Sequence, residues 1–126
     1  MFDALIEGII NLGSVNSLLL LAAGSAVGLL FGAIPGLGGT TAVALLIPLT
    51  FGMEPWQAII LMGGVMAATS TGGSVSAILL NTPGIAPNAA TTFDGYPLAQ
   101  QGKAGMAIGA GATASALGGV IGVVSL

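Results

Sequence analysis

The chain has 126 residues, 55% hydrophobic and only 4% charged, with a formal net charge of −3, where an ordinary soluble domain carries roughly 25% charged residues. It has no cysteine and no histidine, which excludes a disulfide framework, a thiolate or imidazole zinc site and a histidine-based catalytic triad. A single lysine and no arginine leave no basic patch, so nucleic acid is excluded as a partner.

No side chain is ionisable between Glu7 and Glu54, and none from Pro55 to Phe93. A helix crosses a bilayer's hydrocarbon core in about 20 apolar residues, so each stretch is long enough for a crossing. Read with lipid as solvent, the pattern predicts an all-α polytopic transmembrane protein with broken or re-entrant helices.

Residues 1–12 lack the positive segment of a secretory signal. They form a short amphipathic pattern, with Phe2, Leu5, Ile6, Ile9 and Ile10 opposite Asp3, Glu7 and Asn11, suited to the membrane interface or to packing against a neighbouring subunit. Residues 17–34 read as a transmembrane helix. Gly24, Gly28 and Gly32 recur every four residues, a smooth groove that favours close helix packing over a direct ligand role.

Pro35-Gly36-Leu37-Gly38-Gly39-Thr40-Thr41 then interrupts the helix, because proline removes a donor and glycine admits positive φ. The apolar run Ala42–Leu49, ending at Pro48, is short for a crossing. Residues 35–52 are therefore expected to be a broken or re-entrant segment. Glu54-Pro55 is a helix-start signal and Trp56 suits the headgroup level, so residues 55–80 read as the next transmembrane helix. Its second half carries Thr69-Ser70-Thr71-Gly72-Gly73-Ser74, a polar and flexible patch. Asn81-Thr82-Pro83-Gly84 is a turn signature, and residues 81–103 read as a loop. Positive-inside reasoning would place Pro87–Lys103 on the cytoplasmic side, but with one lysine to count it leaves the orientation undetermined. Residues 104–126 read as a transmembrane helix that is truncated, pointing to a piece of something longer.

Two regions carry the candidate chemistry, the breaks at Pro35–Thr41 and at Thr69–Gly84. Irregular backbone at membrane depth survives only where protein buries it or where it lines an aqueous cavity. Freed amides at a half-helix N-terminus suit an anion, while carbonyls and hydroxyls suit a small cation. Walker-type and dinucleotide loops are excluded, since no lysine follows Gly38-Gly39 and Thr41 stands where a third glycine is needed. The plainer readings are a proline-glycine kink between packed helices, and hydroxyls bonded to their own i−4 carbonyls. An intramembrane serine protease lacks a base beside Ser74, so an enzyme is not expected.

Pro35-Gly36-Leu37-Gly38-Gly39, Leu46–Met53, Ile78–Gly84 and Asp94–Gly105 together resemble the N-terminal part of the large membrane subunit of tripartite tricarboxylate transporters, the TctA family. The resemblance runs from about Gly24 onward and rests on the order and spacing of four motifs. It implies a multi-pass permease subunit of the bacterial inner membrane. Such a permease works with a small four-helix membrane subunit and a periplasmic substrate-binding protein, takes up citrate or another carboxylate, and is driven by a Na+ or H+ gradient with no other cofactor. Carried onto this chain, the substrate-facing candidates are Gly36, Gly38, Gly39, Thr40, Thr41, Ser74, Asn81, Thr82, Pro83 and Gly84. Thr69, Ser70 and Asn81 are the candidate ligands for a coupling cation. The competing reading is a non-transporting membrane scaffold, in which glycine faces and kinks serve packing alone.

Overall fold

The computed structural model describes residues 2–125. Among them there is no strand, and six α-helices and one 3-10 turn follow in order. These are α1 (Phe2–Leu12), α2 (Val15–Ala33), α3 (Gly38–Thr50), α4 (Pro55–Leu80), the turn Ala86–Asn88, α5 (Ala89–Gln100) and α6 (Ala104–Val124). Three helices, α2, α4 and α6, are long and apolar enough to cross a membrane. The fold is all-α and polytopic.

The helix starts follow the local chemistry. Ser14 caps α2 by accepting from the Ser17 amide, and both Ser14 and Ser17 hydroxyls donate to the Asn11 carbonyl, which pins the α1–α2 corner. Glu54 and Gln57 form a reciprocal capping box ahead of α4, with Pro55 in the first turn, satisfying amides that the helix cannot. On α1, Ile6, Ile9 and Ile10 are exposed; the side chains of Phe2 and Leu5, which complete the expected apolar face, lie outside the described residues.

The core is built on glycine. The buried residues of α2 are Ser17, Gly24, Gly28 and Gly32. A Cβ on Gly24, Gly28 or Gly32 would collide with the carbonyl of Leu61, Val65 or Thr69 respectively. Each contact advances four residues on both helices, so α2 and α4 run parallel and in register at backbone contact distance. Gly64 and Gly72 answer from α4, against Leu21 and Leu29. α2 buries no large apolar side chain, so dispersion contact between close backbones adds to the burial of Leu61, Val65 and Ile78 on α4.

α3 turns back alongside the α2–α4 pair, touching both. Gly39 at its start lies against Thr69 and Met66, and Val43, Ala44 and Ile47 descend beside Met62 and Ile59 along an open apolar groove of about 590 Å3. At 13 residues, α3 is ~20 Å long, too short to cross. So α2 and α3 form a hairpin whose tip, Ile34–Leu37, stops level with Thr69 while α4 continues to Leu80. The helix also runs through Pro48 to Thr50, beyond where proline was expected to end it; Pro48 lies in the last turn, where few bonds are left to lose.

Two sequence expectations change here. The Thr69–Ser74 patch is not a break, because α4 is one continuous 26-residue helix. Two of its hydroxyls bond to their own helix, Thr69 to the Val65 carbonyl and Ser74 to the Ser70 carbonyl, and its glycines admit close neighbours. The helix ends only at Asn81, which takes left-handed backbone at φ 54°, a conformation Asn tolerates better than most residues. The 81–103 loop is likewise not all loop, since α5 fills Ala89–Gln100. Gly95, within the expected loop, is a packing glycine: a Cβ there would sit 2.6 Å from Ile78 Cγ1. The true turn follows α5, where Gly102 at φ 76° allows the Gly102 amide to bond Ala99 and the Lys103 amide to bond Leu98, a Schellman closure.

Candidate functional site

After Leu80 the chain does not leave. The segment Asn81–Asn88 runs back down beside α4, and the Gly84 amide donates to the Gly73 carbonyl over 3.3 Å. At its lowest point the Asn88 side-chain Nδ2 donates to the Ser70 carbonyl over 2.7 Å. From there α5 climbs again, passing Ile78 at Gly95. The α2–α3 hairpin and the Asn81–Asn88 dip thus approach from opposite ends of α4 and meet on the same turns, Thr69–Gly73.

The meeting is close. A Cβ on Gly84 would collide with the Gly32 carbonyl and lie 2.7 Å from Gly73 Cα, and one on Gly73 would collide with Asn88 Nδ2. A Cβ on Gly38 would stand 3.5 Å from Ile85 Cγ2, so the start of α3 and the dip lie side by side. Three stretches of backbone therefore cross at Gly32, Gly73 and Gly84, where only glycine fits.

The candidate residues divide clearly. Gly38, Gly39, Thr69, Ser70, Ser74 and Gly84 are gathered at the junction. Thr69 is 3% exposed, covered by Gly39, and its hydroxyl is committed to Val65. Gly36 (φ 90°) and Thr40 are exposed beside the hairpin tip, and Thr41 is half-buried. Asn81 and Thr82 are exposed at the far end of α4, with the Thr82 hydroxyl on the Leu80 carbonyl. Asn81 follows Ser70 by eleven residues, ~16 Å along the helix axis, so the structure does not bring Asn81 and Thr82 to the junction; Pro83 leads the chain down from them.

Sequence reasoning passed over Asn88, Gly73 and Gly32 as site residues. Asn88 is 5% exposed and follows Pro87 in a long uncharged stretch, which was the available signal: a buried amide in such surroundings needs a partner. All buried polar side-chain atoms among the described residues have one.

Electrostatically the site is made of dipoles. No ionisable side chain belongs to it. The N-terminus of α3 has no side-chain cap, and among the described residues no acceptor meets the Gly38, Gly39 or Thr40 amides. Those unbonded amides and the helix dipole present partial positive charge. A carboxylate is the natural complement of such a helix start.

Comparison with known proteins agrees on one family. The model of the tripartite tricarboxylate transporter TctA family matches residues 18–126. A relative in Agrobacterium vitis, described as an uncharacterised 52.8 kDa protein in the TAR-I ttuC' 3' region, is 39% identical over 98 residues, which are 78% of this chain and 20% of that protein. The chain thus spans about a fifth of that relative's length. No solved structure matches it. On the strength of a match running through α2 to α6, the chain belongs to the tripartite tricarboxylate transporter TctA family.

Proposed function

We propose that this chain is part of the permease subunit of a secondary transporter, one that carries citrate or another carboxylate across the bacterial inner membrane by symport with Na+ or H+. Its partners in this reading are a periplasmic binding protein that delivers the substrate and a small four-helix membrane subunit. The observation that supports it best is the meeting of the α2–α3 tip with the Asn81–Asn88 dip on one stretch of α4. Unwound backbone in a bilayer is tolerated where protein buries it or where it borders an aqueous cavity, and the second case provides for a ligand.

In this reading the Gly38, Gly39 and Thr40 amides and the Thr40 and Thr41 hydroxyls face the carboxylate. Ser70 and Ser74 line the opposite wall, and Gly36, Pro83 and Gly84 shape the two loops. Asn81 and Thr82 serve to end α4 rather than to bind. With no arginine in the chain, the substrate's negative charge is met by the α3 dipole, a co-transported cation and the remainder of the transporter.

The test is uptake of labelled citrate by the full-length protein with its partner subunits. Gly39→Leu drives a side chain into Thr69 and Met66 and is expected to lower uptake by at least about tenfold, while Asn81→Ala stays within about threefold. Unchanged uptake in Gly39→Leu, with only stability altered, would favour the scaffold reading that the glycine packing of α2 on α4 also fits.

A further inference from the structure

α1 and α4 stand apart. Among the described residues no Cα of α1 comes within 8 Å of one on α4; α1 is held at its corner with α2, where Ser14 and Ser17 bond the Asn11 carbonyl. The space left is a hollow of about 260 Å3, lined by Gly8, Asn11 and Leu12 of α1 and by Trp56, Ile59 and Ile60 of α4. Ile59 is also a wall of the apolar α3–α4 groove, whose lining continues through Met62 and Met66 to Thr40. The two depressions therefore adjoin at Ile59, which is 71% exposed. The groove ends at Met66, because the start of α3 closes on that side chain at Gly39. From Trp56 to Met66 is ten residues, ~15 Å along the helix axis, or one leaflet's half of a ~30 Å hydrocarbon core.

We infer that this path holds one phospholipid with an amine head group. Its phosphate lies against Asn11 and Trp56, its ammonium toward Glu7 and Asp3, and one acyl chain passes Ile59 into the α3–α4 groove. The chemistry changes along the path as such a molecule does. At the outer end the Asn11 amide and the Trp56 indole supply N–H donors, which suit a phosphate. Trp56 is in the first turn of α4, at the level where interfacial aromatics sit. Asp3 and Glu7 are exposed on α1, each four residues from the next along the side that carries Asn11, and carboxylates there favour an ammonium over an anionic head. Further in, Val43, Ala44, Ile47, Met62 and Met66 present apolar walls. Lipid tails are as apolar as the groove, so the acyl chain fits it without preference and selection falls to the head group. A membrane-crossing helix needs the full thickness of the core, whereas this path is closed after half of it. The inference requires only that the chain lies in a bilayer, and does not depend on the transport reading.

The experiment uses the full-length protein in detergent, with phosphatidylethanolamine carrying a photoactivatable group on its acyl chain as the probe. Crosslinks should fall on residues 59–66. Unlabelled phosphatidylethanolamine should compete about fivefold better than phosphatidylglycerol, the scale of exposed charge contacts. Asp3→Asn combined with Glu7→Gln, both at exposed positions, is expected to bring the two competitors within about twofold of each other. Gly63 lines the groove and a Cβ there meets nothing within 4 Å. Gly63→Leu therefore fills the groove and should cut the crosslinking by at least about fivefold. Equal competition by the two lipids in the wild type, or undiminished crosslinking in Gly63→Leu, overturns the inference. Absence of crosslinks from residues 59–66 overturns it too, and shows the groove filled by protein from the rest of the transporter. Should Gly63→Leu fail to fold, the α1 variant decides through the competition ratio. None of these readouts involves uptake, so the transport reading stands or falls separately.

Discussion

Gly84 rests directly on the carbonyl of Gly32, with Gly73 Cα closing the third side. These residues come from the irregular segment after α4, from the last turn of α2 and from the middle of α4. Their contact is what holds the two interruptions at one depth.

Gly84→Ala should therefore act on folding before it acts on anything else. The added methyl meets backbone on two sides, which cannot yield as a flexible side chain would. Overpacking of this kind costs about 1–3 kcal/mol. Gly63→Ala, where a Cβ meets nothing within 4 Å, is the matched control and should melt with the wild type. Equal melting temperatures of the two variants in detergent would contradict the three-way crossing.

Thr69→Val separates packing from chemistry on α4. The Thr69 hydroxyl donates only to Val65 within its own helix, and valine keeps the side chain's shape beneath Gly39. Stability should change by less than about 1 kcal/mol, and sodium-dependent uptake should remain within about twofold of wild type. A large rise in sodium half-saturation would return Thr69 to the list of ion ligands.

The hairpin makes a topological prediction for cysteine labelling in an otherwise cysteine-free full-length protein. Cysteines at Asn16 and Phe51, near the two open ends of the α2–α3 hairpin, should react with an impermeant reagent from one side of the membrane. A cysteine at Gln101, beyond α5, should react from the other. Leu37→Cys at the hairpin tip should resist the reagent from the Gln101 side. Labelling of Leu37 as fast as Gln101 would mean that the hairpin crosses completely.

Much of this architecture was legible from residue types. The four-residue phase of Gly24, Gly28 and Gly32 announced a face that a second backbone could approach, and Glu54-Pro55 announced a helix start. What the phase does not specify is the partner or its direction, and so the parallel register of α2 on α4 was hidden. Thr69–Ser74 looked flexible because glycine and hydroxyl residues weaken an isolated helix. In the folded chain those glycines admit α2 and the returning dip, and the Thr69 and Ser74 hydroxyls bond back to their own helix. Asp94-Gly95-Tyr96-Pro97 read as loop for the same reason: local signals report what a backbone permits, while packing against Ile78 places Gly95 inside a helix. Asn81 drew attention because it sits in a motif. Asn88, seven residues on, holds the long-range bond, and only the descent of the chain beside α4 reveals it.

The grip on Thr69–Gly73 has a mechanical result. A rod held at one height by a loop from each end cannot slide or twist there without loosening both holds together. Any shift of α4 at that level would loosen the α2–α3 hairpin and the Asn81–Asn88 dip at once.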